Sequence, residues 1–537
     1  MRALRAAGVD HAFCVPGESF LGLLDALYDE PSIRVVATRH EGGASFMAEA
    51  YAKLTHRPAV CMGTRMVGAG NMAIGIHTAR QDSVPVLAIV GQVATDARYR
   101  EAFQEAEVSD VFTPVAKWAV EPPSAERLGE LTLRAARVAM SGRPGPVVLA
   151  LREDLLAADA PDVEPAPLTV PRPAPDPARL PEVLALLRAA RRPLMVLGNG
   201  VLAAEASALY VQLAEREELP VVAAWRRPDV FPNDHPLYLG HSGVGVVSSL
   251  RQRMLDADVV LAVGTRLNEY TSIGYQLPAP GQRLVHVDLG AEVLGGHGRA
   301  ELPFVADAGL FAQALLDLPG PTDDLARRRL DNERDRRAWE AQTTPGRGRA
   351  RAGFVDQQAA IAHVRSVLPR DAIVTTDAGN FGQWPARYLR WQCPGTFLGP
   401  TSGAMGYAVP AALAARLARP RQKVVAFVGD GGFLMTGPEV ETAVRVGAPF
   451  VTLVYDNGQY GTIRMHQERE HPGRPIATGL GAVDFAAVGR GLGALGYTVR
   501  DDADFPRAFD DALRADQPAV LHLHVDPDQL TTAGDER

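Results

Sequence analysis

Cysteine is nearly absent. Cys14, Cys61 and Cys393 are the only three in 537 residues, and no two have the spacing of a metal or disulfide motif. That excludes a disulfide framework or a thiolate-held metal centre and fits a reducing cytoplasm, the expected location. Long apolar runs are missing as well: no stretch of roughly eighteen apolar residues reads as a membrane-spanning helix. The chain opens on a helical pattern, Met1 to Ala7, rather than on the layout expected of a secretory leader. Excess positive charge is also lacking. The formal net charge of −8 argues against nucleic acid or an acidic membrane surface as partner. What remains is abundant apolar content, 47%, in a chain long enough for about three domains.

Strand and helix signals alternate along the chain, the pattern of doubly wound parallel sheets. Residues 1–158 carry strand signals at Val9–Val15, Ile33–Thr38, Ala59–Gly63, Val84–Val90 and Pro146–Leu151. Seven prolines between Pro161 and Pro177 then predict an extended, semi-rigid linker outside any core. A middle domain, 178–325, has strands at Pro193–Leu197, Pro220–Ala224, Val259–Val263 and Leu284–Val287. Its Gly198-x-Gly200-x-x-Ala203 has the form of a dinucleotide fingerprint, but no acidic residue completes it, and tight helix–strand packing explains the glycines better. A charged connector follows, with Arg327–Arg329 and then Arg347, Arg349 and Arg351, expected to be a solvated helix and loop. The last domain, 354–530, runs from a strand at Ala372–Thr376 to one at Val520–Val525, and the tail from Thr531 is expected to fray.

The most informative stretch is 424–465. A buried-strand run, Val424–Val428, ends in a turn, Gly429-Asp430-Gly431-Gly432. A helical segment follows to Val446, and a second run, Phe450–Tyr455, delivers Asp456-Asn457-Gly458. In a βαβ unit Asp430 and Asn457, 27 positions apart, come to neighbouring strand ends, where open α/β sheets bind ligands. A carboxylate, an amide oxygen and free carbonyls suit Mg²⁺ with a phosphate partner, and the glycines admit that phosphate to backbone N–H groups.

This stretch resembles the binding motif of thiamine diphosphate-dependent enzymes, and two further elements strengthen the resemblance. Arg39-His40-Glu41-Gly42-Gly43 is similar to the family's glutamate element, and Thr401-Ser402-Gly403-Ala404-Met405-Gly406 to its pyrimidine-holding loop. The resemblance implies three doubly wound α/β domains: pyrimidine-binding, middle Rossmann-like and diphosphate-binding. It implies that Glu41 hydrogen-bonds the pyrimidine and drives the tautomer shift that activates the thiazolium carbon. Gly403 and Met405 would hold and bend the cofactor. Asp430, Asn457 and the carbonyl of Gln459 would ligate Mg²⁺, with Gly429, Gly431, Gly432, Tyr460, Gly461 and Thr462 around the diphosphate. Asn380, in the loop Asp377–Gly382, would lie on the same side.

Over essentially the whole chain the pattern is similar to the acetolactate synthase branch. Ala102-Phe103-Gln104-Glu105 matches that branch's AFQE element, which assigns Phe103, Gln104 and Lys117 to the substrate channel. Five positions depart from it. Asn380-Phe381 replaces a Gln-His pair. Arg65-Met66-Val67-Gly68 replaces a Gly-Pro-Gly beside the thiazolium, so Arg65 could bind a substrate carboxylate or phosphate, or pair with an acid. Glu18 stands where the synthases have a small residue and could act as a proton relay. His466 stands at the position of their acceptor-selecting tryptophan. Gly264–Glu269 and Gly240–Gly243 match their flavin-site segments only loosely, a poor case for FAD. The leading expectation is decarboxylation of a 2-oxo acid with ligation to a second carbonyl. The alternative is a decarboxylase or hydroxyketone lyase, and a flavin-containing oxidase is a further option. The resemblance also implies a homodimer core, often a tetramer, with Glu41 and Asp430 contributed by different subunits.

Overall fold

Each sheet is built from buried apolar runs at its centre and short mixed strands at its edges. The computed structural model describes residues 1–161, 164–322, 324–346, 348 and 351–532; Arg347 and Arg349 of the connector, parts of the proline-rich linker and the last five residues lie outside these. The first sheet comprises β1 (His11–Cys14), β2 (Arg34–Ala37), β3 (Ala59–Thr64), β4 (Val86–Gln92), β5 (Trp118–Val120) and β6 (Val147–Arg152). The second holds β7 (Pro193–Leu197), β8 (Val221–Ala223), β9 (Tyr238–His241), β10 (Val259–Val263), β11 (Arg283–Asp288) and β12 (Leu302–Val305). The third holds β13 (Ile373–Thr376), β14 (Phe397–Leu398), β15 (Val424–Gly429), β16 (Val451–Asp456), β17 (Leu495–Val499) and β18 (Ala519–His524).

The strand orders are 2-1-3-4-6-5, 12-11-10-7-8-9 and 14-13-15-16-18-17. Counted from its own first strand, the third order is identical to the first. The middle order is the dinucleotide-fold arrangement 3-2-1-4-5-6 read from the other edge. Every paired strand in the three sheets is parallel, so loops after the strands gather on one edge of each sheet.

The first and third sheets share one core. The helix Glu41–Thr55 lies against the helix Ala408–Ala418, and the fully buried Phe46 and Tyr407 rings meet edge-on at 5.4 Å. Burying a phenylalanine contributes about 2–3 kcal/mol. Asp82, with 2% of its surface exposed, ties all three parts together. Its carboxylate accepts from Lys53 Nζ at 2.6 Å, from Arg227 at 3.2 Å and from the Thr401 backbone N–H at 3.2 Å. This cationic surround holds the carboxyl well below the usual range despite its burial.

Two connectors depart from expectation. The linker is extended but docked: Leu168 N donates to Ala6 O at 2.9 Å, and Arg172 pairs with Asp307 at 2.6 Å. The charged helix Ala326–Thr343 is also no free solvated arm. Arg328 is buried and donates to the carbonyls of Leu187, Ala190 and Glu217, while Trp339 packs in the middle core beneath Arg390, 4.2 Å from its ring. The Gly198 fingerprint is explained by loop packing. A Cβ on Gly198 would lie 2.4 Å from Gly264 O, and one on Gly200 2.6 Å from Gly264 Cα.

Candidate active site

The expected turn after β15 is in fact the first turn of a helix, Asp430–Thr436. The strand therefore points Asp430 at the spot where that helix exposes its unpaired N–H groups, a favourable place for anions. Gly431 and Gly432 are small because the surroundings demand it. A Cβ would sit 2.5 Å from the Tyr460 ring in the first case and 2.3 Å from Asp377 Oδ2 in the second. Beside them opens a cavity of about 250 Å³. All twelve residues assigned from the sequence to the cofactor line it, from Asn380, Gly403 and Met405 to Gly429–Gly432, Asn457 and Gln459–Thr462.

Asp430 Oδ1 accepts from the Gly431 N–H at 2.8 Å, while Oδ2 is buried and receives no hydrogen-bond donor among the described residues. Burial, and then the neighbouring carboxylate of Asp456, push the Asp430 carboxyl up to about 7. Asp456 is held low, its burial outweighed chiefly by His522, which bonds its Oδ2 at 2.7 Å. Asn457 Oδ1 accepts from the Gln459 N–H at 3.2 Å, and Gln459 O accepts from the Gly461 N–H at 2.8 Å; each oxygen keeps a second lone pair. An open buried carboxylate beside an amide oxygen and a carbonyl is a donor set for a hard divalent cation. The apposed helix start and glycines suit a diphosphate. The residues present therefore fit thiamine diphosphate together with a divalent metal.

The pyrimidine-side loop is held by Asp377, which sequence reasoning placed only in a phosphate-side loop. Its two oxygens accept from the N–H groups of Gly406, at 2.6 Å, and Ala408, at 2.5 Å. Burial still raises this carboxyl, to about 6, against those donors. Thr436 Oγ1 donates to Gly406 O at 2.6 Å and pins the same loop. Glu439 was also missed. Its Oε1 accepts from the N–H groups of Arg39 and His40, at 3.0 and 3.1 Å, so the diphosphate motif's own second helix shapes the loop that carries Glu41. One signal could have found Asp377: an acidic residue directly after a strand end.

The other predicted residues lie outside this cavity. Glu18, Glu41, Arg65, Phe103 and Gln104 follow β1, β2, β3 and β4 and so share the carboxyl edge of the first sheet. Glu41 accepts from Asn71 Nδ2 at 2.9 Å. Arg65, 9% exposed, is engaged rather than free. It donates to Glu153 at 3.2 Å and to Phe103 O at 3.1 Å, and approaches Glu18 at 3.5 Å, with the exposed Phe103 ring 5.7 Å from its guanidinium. Of the two readings left open for Arg65, pairing with acids is the one seen. Gln104 has a left-handed backbone, φ +62°. Lys117 is not brought to this edge. It precedes β5 at the opposite end of the sheet, where its ammonium donates to the carbonyls of Ser141 and Arg143, and burial lowers it to about 8. His466 sits in the helix Gly461–Glu470, where its Nδ1 accepts from Arg469 at 2.9 Å.

Known proteins place these features in a family. Residues 1–111, 180–315 and 377–523 match, in that order, the N-terminal binding, central and C-terminal binding domains of the thiamine pyrophosphate enzymes. The chain is 31% identical to an acetolactate synthase large subunit from Parasynechococcus marenigrum, over 98% of this chain and 86% of the relative. It is 29% identical to a probable acetolactate synthase large subunit from Methanocaldococcus jannaschii, over 98% and 91%. It is 30% identical to an acetolactate synthase large subunit from Corynebacterium glutamicum, over 98% and 86%. The three matched domains fall on the three sheets, the relatives span nearly the whole chain, and the chain belongs to the thiamine pyrophosphate enzyme family, in its acetolactate synthase-like branch.

Proposed function

We propose that this thiamine diphosphate- and Mg²⁺-dependent enzyme decarboxylates a 2-oxo acid and joins the remaining acyl carbons to a second carbonyl. The observation that carries the reading is Asp430: a buried carboxylate with one oxygen unpartnered, at a strand end lined by glycine, asparagine and a pyrimidine-side loop. When bound, the thiazolium supplies a carbon nucleophile and an electron sink for the pair left behind as CO₂ departs. Asp430, Asn457 and Gln459 O would hold Mg²⁺ and, through it, the diphosphate. Gly403 and Met405 would seat the pyrimidine and fix the cofactor's bend. Glu41 would hold a proton at the pyrimidine nitrogen. Gln104 and Phe103 would face the acceptor. The net reaction, two oxo acids to one hydroxy-oxo acid plus CO₂, is redox-neutral and requires no flavin.

Glu41 lines none of the cavity around Asp430, so a second copy of the chain is the natural donor of that group. Val67 and Ile74 on the helix Arg65–Asp82, and Leu434 and Met435 beside the diphosphate motif, are apolar and about half exposed, as a subunit interface would require. We infer a dimer or a higher assembly built on it.

The test is product analysis. Protein with Mg²⁺ and thiamine diphosphate should release CO₂ from a panel of 2-oxo acids and form a new C–C bond. No CO₂ from any acid would refute the proposal. Aldehyde alone would favour the second reading, a decarboxylase, which rests on the exposed Glu18 at the carboxyl edge of the first sheet. Mixing Glu41→Gln with Asp430→Ala chains tests the shared site: hybrids should recover part of the activity that neither variant has.

A further inference from the structure

Behind the diphosphate cradle, on the far side of Asp456, lies a cluster that the proposed reaction does not use. β16 and β18 pair in register with Val454 opposite His522 and Asp456 opposite His524. The period-two alternation puts His522 and His524 on one face of β18 and Leu521 and Leu523 on the other, in the core. The two imidazoles lie 4.1 Å apart between centroids. One donor atom from each of Asp456, His522 and His524 falls within 4.8 Å of the others. His522 is 3% exposed, and among the described residues its Nδ1 has no hydrogen-bond partner; nor has the buried Nε2 of His524. Two imidazole nitrogens left unsatisfied in one small volume are costly unless something occupies it.

We propose that Asp456, His522 and His524 form a second cation site, selective for a borderline divalent ion of the Zn²⁺ type and distinct from the oxygen-rich Asp430 site. Two imidazoles and one carboxylate prefer Zn²⁺, Co²⁺ or Ni²⁺, whereas Mg²⁺ prefers oxygen alone. The ion takes the place of the proton between Asp456 Oδ2 and His522 Nε2, 2.7 Å apart, and the neutral imidazole keeps its single proton on Nδ1. Ligands at about 2.1 Å from a tetrahedral ion sit about 3.4 Å from one another, within reach of side-chain rotation from the observed spacing. His522 Nδ1 then carries its proton toward Asp484 Oδ1, 4.0 Å away, the carboxylate partner that metal-bound histidines use. Asp484 caps the helix Phe485–Gly491 and faces solvent. Because Asn457 follows Asp456 directly, an ion here would brace the strand end that presents the proposed Mg²⁺ ligand.

The experiment is a Co²⁺ titration of full-length protein, stripped with chelator and then saturated with Mg²⁺ and thiamine diphosphate. One equivalent of Co²⁺ per chain should bind with the visible absorption of a tetrahedral N/O site, and Zn²⁺ should displace it. His524→Ala should weaken Co²⁺ at least tenfold and remove that absorption while leaving Mg²⁺-dependent cofactor binding in place. If His524→Ala does not fold, His524→Gln carries the same test. The proposal is overturned if no Co²⁺ binds under saturating Mg²⁺, if Mg²⁺ displaces it competitively, or if the His524 variant binds it as the wild type does.

Discussion

The first and third sheets share one strand order, and their corresponding strand ends carry opposite charges. After β3 the chain enters a helix on Arg65; after β15, the corresponding strand, it enters one on Asp430. A helix start favours an anion by about 0.3–1 kcal/mol. Asp430 is placed with that field and Arg65 against it, at a strained φ of +38°. The first domain offsets its cation internally, with Glu153, Glu18 and the Phe103 carbonyl. The third leaves Asp430 Oδ2 buried and open. A charge already matched by its own chain is a closed device; a buried charge left unmatched is a place for a ligand. On that difference the proposed metal would belong to the third domain, and the first would supply the proposed acid–base and substrate-facing groups.

The contrast is broken most directly at its two extremes. Asp430→Asn should abolish the rise in Tm that Mg²⁺ plus thiamine diphosphate gives, and with it about 10³-fold or more of the activity. Glu41→Gln should keep that rise and lose about 10²–10⁴-fold in kcat, the range for a lost acid–base group. If Glu41→Gln also abolishes the cofactor-dependent Tm shift, the division of labour between the domains is wrong.

Arg65→Met comes next. If the guanidinium is a closed ion pair, the variant leaves Glu153 without its partner. It should then lose about 1–3 kcal/mol in urea unfolding with little change in KM. A KM for the 2-oxo acid raised tenfold at unchanged stability would move Arg65 into the substrate site.

The third effect is graded. Asp430 holds its proton to about pH 7, so Mg²⁺ must displace it below that pH. The apparent Mg²⁺ affinity should fall about tenfold per pH unit below 7 and level off above it, read by calorimetry in the presence of cofactor. The metal-free protein should show the opposite trend in stability. Between about pH 4 and 7 the folded state keeps a proton that the unfolded chain gives up, so this carboxyl removes stability as pH rises. A flat Mg²⁺ profile from pH 6 to 8 would mean that Asp430 is not the anchor.

How much of this was legible depended on burial. Central strands such as β7, β10 and β15 are apolar on both faces and read as continuous runs. The five strands the sequence hid, β5, β9, β12, β14 and β17, are all at sheet edges. Edge strands face solvent on one side, as Leu302–Val305 does with alternating burial, or run only two residues, as Phe397–Leu398 does. The cofactor side was readable because Asp430 and Asn457 follow long runs at fixed offsets, and because the loop around Met405 resembles the family's own. The first-domain side was less so: Lys117 has the right residue type and spacing, but the unseen edge strand β5 carries it to the wrong end of the sheet. The docking of Arg328 was invisible for a different reason. Which face of a highly charged helix is buried depends here on partners more than 100 residues away.

The smallest expected effect lies at the joint between the two halves. Glu439, at the start of the helix after the diphosphate motif, reaches across to the N–H groups of Arg39 and His40, one residue from Glu41. It is a positioning residue, and two features limit what losing its charge can do. Burial already raises this carboxyl, so its anionic form is less favoured than at a surface. An amide oxygen in the same place can still accept both N–H groups. Charged acceptors exceed neutral ones by about 1 kcal/mol, so Glu439→Gln should lower kcat by about fivefold and leave cofactor affinity alone. Glu439→Ala strands both N–H groups and should cost more in kcat and in Tm. Rescue by glutamine is the readout that separates shaping of the Glu41 loop from simple packing. If glutamine and alanine lower kcat equally, it is the negative charge at this joint, rather than the geometry it holds, that serves the site.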